Sequence, residues 1–185
     1  MKNNMVRMLV CAALASLALP AVAARYNFSQ DGYSDGGKIS GWFEGVDKNS
    51  DGVLVSWENE VTDYHLSYSG GSSVAAFTHS FSDFNGLLYL INSPMGSRLG
   101  DDGSPWFGGE GIGSNMNGSF GRFLYVAGAA AAGLSGGGGV MDWMTGATST
   151  TNNLIEVAAV PEPETYAMLL AGLGVVGWSL RKRQR

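Results

Sequence analysis

The chain has 185 residues, with 11 Lys and Arg against 16 Asp and Glu, 28 glycines and only 15% charged residues. Between Arg25 and Ala159, five Lys and Arg stand against fourteen Asp and Glu, a net charge of −9; nucleic acid is excluded as a partner, because no basic stripe exists to neutralise phosphates. Abundant Gly, Ser, Asn, Thr and aromatics with few charges point to an all-β secreted body, long enough for one domain with one core.

Met1–Ala24 has the layout of a secretory signal peptide. Lys2 and Arg7 form a positive start and Met8–Leu19 an apolar stretch. Pro20-Ala21-Val22-Ala23-Ala24 then supplies a helix break and the small residues that a signal peptidase needs. Cleavage after Ala24 is favoured over cleavage after Ala23. The single cysteine, Cys11, lies in this leader, and Met8-Leu9-Val10 before it lacks the small residue of a lipoprotein site. The exported body therefore has no disulfide and no thiolate chemistry.

In Arg25–Ser34, Tyr26 and Phe28 alternate with Asn27 and Ser29, the period of a half-buried strand. Asp31-Gly32 and Asp35-Gly36-Gly37 are turn signals. Lys38–Val46 alternates again, with Ile39, Gly41 and Phe43 on one face and Ser40, Trp42 and Glu44 on the other.

Asp47-Lys48-Asn49-Ser50-Asp51-Gly52 followed by Glu58 fits the pattern D-x-[DN]-x-[DN]-G-x5-E and resembles an EF-hand calcium loop. The resemblance implies a hard Ca²⁺ site with side-chain oxygens from Asp47, Asn49 and Asp51, the carbonyl of Val53, and two oxygens from Glu58. The flanks depart from an EF-hand. Gly37, Gly41 and Gly45 leave no entering helix, and an exiting helix over Ser56–Tyr64 would be short. The other reading is a β-hairpin turning at Asn49-Ser50-Asp51-Gly52.

Tyr64, Leu66 and Tyr68 alternate with His65 and Ser67. Ala75, Phe77, His79, Phe81 and Asp83 share one parity. Asn85-Gly86 predicts a turn before Leu87–Asn92, and Leu87–Ile91 is apolar on both faces, as in a central strand. Ser93–Gly121 reads as loop, including Gly108–Gly113. Its Trp106 and Phe107, with Trp42, are candidate carbohydrate contacts, set against the commoner role of aromatics as packing. Phe120–Ala127 is a strand pattern. Ala127–Gly139 is low in complexity, as a loop or a crossing between sheets. Thr145–Asn153 reads as a polar turn and Leu154–Ala158 as a last strand.

Enzyme signatures are missing. His65 and His79 have no motif partner, and there is no G-x-S-x-G, H-E-x-x-H or phosphate loop. The body is expected to be non-enzymatic, with a hydrolase of unrecognised site as an alternative.

Beyond Ala159 the character changes. Val160-Pro161-Glu162-Pro163 ends regular structure, since proline has no N–H to donate. Thr165–Leu180 carries no charge for sixteen residues, about 24 Å of helix against a hydrocarbon core of about 30 Å. Arg181, Lys182, Arg183 and Arg185 then form a basic stop, which favours a short membrane span with the tail cytoplasmic. The order of these parts resembles the PEP-CTERM sorting signal of Gram-negative bacteria. The resemblance covers Val160–Arg185. It implies cleavage near Pro-Glu-Pro by an exosortase, a membrane-embedded cysteine transpeptidase-like enzyme, and a link to exopolysaccharide or biofilm.

The expected architecture is mainly β. An antiparallel β-sandwich-like body over residues 25–159 is flanked by a signal-peptide helix over 1–24 and a single transmembrane helix over 165–180. The expected route leads through the inner membrane, with the body anchored in the periplasm, to the outer surface or matrix. A calcium-dependent adhesive or carbohydrate-binding domain is the alternative for the body.

Overall fold

The computed structural model describes residues 23–91, 109–116, 121–128, 137–160, 170 and 172–174. Eleven strands lie among them: β1 Ala24–Gln30, β2 Ile39–Gly45, β3 Val53–Val55, β4 Val61–Tyr68, β5 Phe77–Ser80, β6 Phe84–Leu90, β7 Gly111–Ser114, β8 Phe123–Gly128, β9 Gly138–Asp142, β10 Thr148–Thr151 and β11 Glu156–Val160. They form two antiparallel sheets, ordered β11-β1-β2-β4-β5 and β10-β9-β8-β7-β6-β3. The mainly β, two-sheet expectation holds.

Alternation decides which side chains meet between the sheets. Tyr26 and Phe28 are buried while Asn27 and Ser29 are exposed, and β4 buries Tyr64, Leu66 and Tyr68. Aromatic rings join the layers. Tyr89 of β6 meets Tyr26 and Phe43 edge-on at 5.4 Å each, and Phe123 of β8 stacks on Phe77 at 4.8 Å. Such offset and edge contacts suit the ring quadrupole and add to the gain from burial. Gly41 faces Phe28 in the register, and a Cβ there would collide with the Phe28 ring and the His65 carbonyl.

Several expectations need correction. Asn85-Gly86 is not a turn. It lies inside β6, at a register shift against β7, and the chain reverses earlier, in the 3-10 turn Phe81–Asp83. That turn is held by a capping box between Ser80 and Asp83, and it passes the chain from one sheet to the other. The glycine-rich Gly108–Gly113 is not all loop either. Gly111–Ser114 is an interior strand between β6 and β8, fully buried, with Ile112 filling the core. Glycine fits at 113 because a Cβ there would run into the Met116 side chain. Thr145–Asn153 contains edge strand β10, whose Ser149 and Thr151 are buried through hydrogen bonds rather than through apolar surface.

At the N-terminal junction, Ala24 opens β1 opposite Gly45. Residues 1–22 lie outside the described residues. So do most of 161–185, including the expected span over 165–180 and the basic tail. Leu170 and residues 172–174 are helical and exposed. Among the described residues, no helix is long and apolar enough to cross a membrane.

Candidate functional site

Two places gather the residues singled out from the sequence. The first is the junction where the body passes into the Pro-Glu-Pro segment. Edge strand β11 runs antiparallel to β1, so Val160 faces Arg25 and Ala158 faces Asn27. The place where the signal peptide is expected to end and the place where the sorting segment begins are thus side by side. Arg25 is fixed there: its Nε and Nη2 donate to Glu44 Oε1 at 2.8 and 2.6 Å, and its guanidinium lies 4.0 Å from the Trp42 ring centroid. The His65 ring also stacks with Trp42 at 6.1 Å. The indole is therefore engaged by two neighbours of its own sheet. Trp106 and Phe107 lie outside the described residues, as do Pro161, Glu162, Pro163, Arg181, Lys182, Arg183 and Arg185.

The second place is the crossing from β2 to β3. These strands belong to different sheets, so the hairpin reading of Asn49–Gly52 is wrong: β2 pairs with β1 and β4, and β3 with β6. No entering or exiting α-helix forms. A 3-10 turn, Ser56–Glu58, follows β3, and Asn59 ends it in the left-handed region at φ 57°. The loop folds on its own carboxylates. Asp47 accepts the N–H groups of Asp51 at 3.2 Å and Gly52 at 2.9 Å, and Gly52 adopts φ 81°, which costs glycine little. Asn49 Nδ2 donates to Asp51 Oδ2 at 3.0 Å and to Glu58 Oε2 at 3.1 Å. Asn49, Asp51 and Glu58 are thereby brought together. Val53 N–H donates to Asp51 Oδ1 at 2.9 Å as β3 begins. Among the described residues, no group of three or more His, Cys, Asp or Glu is placed to hold a metal ion.

Glu60 lies outside the calcium-loop pattern yet ties the crossing together. It is 1% exposed, and its two oxygens accept the N–H groups of Lys48 at 2.8 Å and Val55 at 3.0 Å, while its carbonyl accepts from Val46 at 2.8 Å. A buried carboxylate costs much unless its lone pairs are filled, and here both ends of the crossing fill them. The available signal was an acid placed directly before the apolar start of β4.

A third polar group lies in the core. Tyr64 donates to Ser114 Oγ at 3.3 Å, and Ser114 Oγ is 2.7 Å from His79 Nδ1. Burial lowers the His79 pKa from 6.5, against smaller opposing effects of the Asp83 charge and the Phe123 backbone. A neutral ring accepting from Ser114 satisfies the chain Tyr64–Ser114–His79. A serine beside a histidine resembles half of a nucleophilic pair; Ser114 is 0% and His79 6% exposed, so both stand as buried polar groups of the core.

Comparison with curated proteins and with solved structures gave no match. A match does come from a family model, over the segment that leaves β11. Residues 159–184 fit the PEP-CTERM protein-sorting motif, so the chain carries an exosortase sorting signal and is an exported, envelope-directed protein.

Proposed function

We propose that the sandwich is a non-enzymatic envelope or matrix protein. Its expected signal peptide, 1–24, is removed by signal peptidase, and it is held at the inner membrane by residues 165–180. An exosortase then cuts near Pro161–Pro163 and frees it toward the outer surface, where it associates with exopolysaccharide or biofilm. The observation that carries this reading is the junction. Val160 ends an exposed edge strand, so the Pro-Glu-Pro segment begins at the rim of the body rather than within its core. Proline restricts its own φ and biases its predecessor to extended backbone, so the Pro161 and Pro163 chemistry favours an extended peptide for a processing enzyme to bind. The basic residues Arg181–Arg185 stop transfer by attraction to the cytoplasmic face. The test is fractionation of the native host. Replacing Pro161, Glu162 and Pro163 together by Ala is expected to leave export intact and the product uncut and membrane-bound. Processing like the original overturns the reading.

A second reading concerns the crossing loop. The Asn49 amide stands as a donor between the carboxylates of Asp51 and Glu58, the position a cation takes when it draws the same oxygens. With Asp47, the Val53 carbonyl and a flipped Asn49 amide, the donors are all hard oxygens suited to Ca²⁺. Binding to the folded state alone raises the melting temperature. The rise is expected in excess Ca²⁺ relative to chelator and is expected to vanish in Asp47→Ala/Glu58→Ala. Superimposable melting curves reject it.

A further inference from the structure

Among the described residues the sheets end in four edge strands, which are treated unequally. Along β10, Ser34 N–H donates to the Thr150 carbonyl at 2.9 Å and Thr150 N–H reaches Ser34 Oγ at 3.3 Å. β3 is only three residues long, and Glu60 takes its Val55 N–H at 3.0 Å. β5 has four residues and closes in a 3-10 turn, where Asp83 takes the Ser80 N–H at 2.8 Å. Such devices protect an edge from pairing with another chain. Among the described residues β11 has no such cover, and its one charged side chain is Glu156. Its five residues, Glu156-Val157-Ala158-Ala159-Val160, contain no Pro, Lys or bulge. Among the described residues, no strand pairs with its outer side.

We propose that β11 pairs antiparallel with β11 of a second copy of this chain, joining two five-stranded sheets into one. The register follows from the sequence. Centred on Ala158, all five residues pair: Ala158 with itself, Val157 with Ala159, and Glu156 with Val160. Residues directly opposite in an antiparallel pair share a face, so Val157 and Ala159, which lie on the face of Phe28 and Tyr26, meet on that same face in both copies. Charge agrees with this register. Glu156 of one copy faces Val160 of the other, and Arg25 lies on the next strand beyond Val160. That spacing is roughly 10 Å between backbones, within reach of the two long side chains. Arg25 so gains a second carboxylate beside Glu44.

All eleven described strands and the described core lie within residues 24–160, so that body is the material for the test. Light scattering after size exclusion is expected to give twice the monomer mass. Ala158 is exposed and lies opposite the exposed Asn27, so Ala158→Lys and Ala158→Glu are expected to fold as before. Each sets a charge against its own copy, and each is expected to halve the mass. An equimolar mixture of the two is expected to restore it. Amide exchange in the unaltered body reads the same edge without substitution: protection within 156–160 is expected to rise with protein concentration. A body monomeric at its highest soluble concentration overturns the proposal. So does a dimer that survives both charges, a mixture that stays monomeric, or exchange independent of concentration.

Discussion

Asp35 and Asp47 each sit in an Asp-and-Gly turn that leads into a strand, yet the fold uses their carboxylates over different ranges. Asp35 accepts from the Tyr68 hydroxyl at 2.5 Å, the Ser149 hydroxyl at 2.7 Å, and the N–H groups of Gly37 and Val74 at 3.1 and 3.2 Å. Only Gly37 is local; the rest bring together β4, β10 and the turn before β5. Asp47 accepts only from Asp51 and Gly52, within its own loop. The same turn signal thus marks a knot between the two sheets in one place and a self-contained loop in the other. The remote work in that second loop falls to Glu60.

Removing the knot should cost most. Asp35→Ala leaves two hydroxyls and two N–H groups without their acceptor, an expected loss of about 3 kcal/mol in urea unfolding. Asp47→Ala is expected to cost only about 0.5–1 kcal/mol, since water replaces a local acceptor. Equal losses would abolish the distinction. Between them comes Glu60→Gln, expected to cost about 1–2 kcal/mol, because the amide keeps the shape but loses one charge-assisted acceptor.

Acid sharpens the same contrast. Burial acts to raise the Asp35 pKa, but hydrogen bonds from Tyr68, Ser149, Gly37 and Val74 outweigh it and hold it at about 2, against an ordinary 3.8. Its contribution is complete above the unfolded value and is lost as pH falls from about 4 through about 2. His79 acts at higher pH. Its folded pKa is depressed below 6.5, so the unfolded chain takes the proton first, and stability declines as pH drops below 6.5. Unfolding free energies from pH 8 to 2 are expected to fall in these two windows. Asp35→Asn should flatten the lower one and His79→Asn the upper. A profile unchanged in either variant contradicts the assignment.

The smallest effect is expected at the surface. The Arg25–Glu44 pair is 45% and 28% exposed. Arg25→Ala should cost under about 1 kcal/mol, with the loss shrinking in high salt. A larger loss, unaffected by salt, would mean that packing of the guanidinium on Trp42 outweighs the ion pair.

Much of this was legible in the chain itself. The alternations in β1, β2 and β4 gave inward Tyr26, Phe28, Phe43, Tyr64 and Leu66 correctly, because burial on one face imposes period two whatever the partner strand. The doubly apolar run from Leu87 also gave an interior strand. Failures came where local chemistry was ambiguous. Asn-Gly at 85–86 favours a turn by itself, yet pairing of β6 with β7 held it in a strand. Glycines at 111 and 113 look like loop, and only their neighbours on both sides make them sheet. Of the candidate loop, the local set Asp47, Asn49 and Asp51 was readable from spacing, whereas Glu60 was not.

The sorting motif was determined by sequence alone, since its parts are contiguous and its chemistry is polarity and order: two prolines, an uncharged stretch and a cationic stop. Strand faces were determined likewise, by alternation. Tertiary structure alone decided which strands are neighbours. It set Val160 beside Arg25, brought Ser114 to His79, sent β2 and β3 into different sheets, and placed β11 at a sheet edge. The physical reason is range. Periodicity and proline act on the residues beside them, but a strand's partner is settled by which distant pairing buries the most apolar surface while leaving no N–H unpaired.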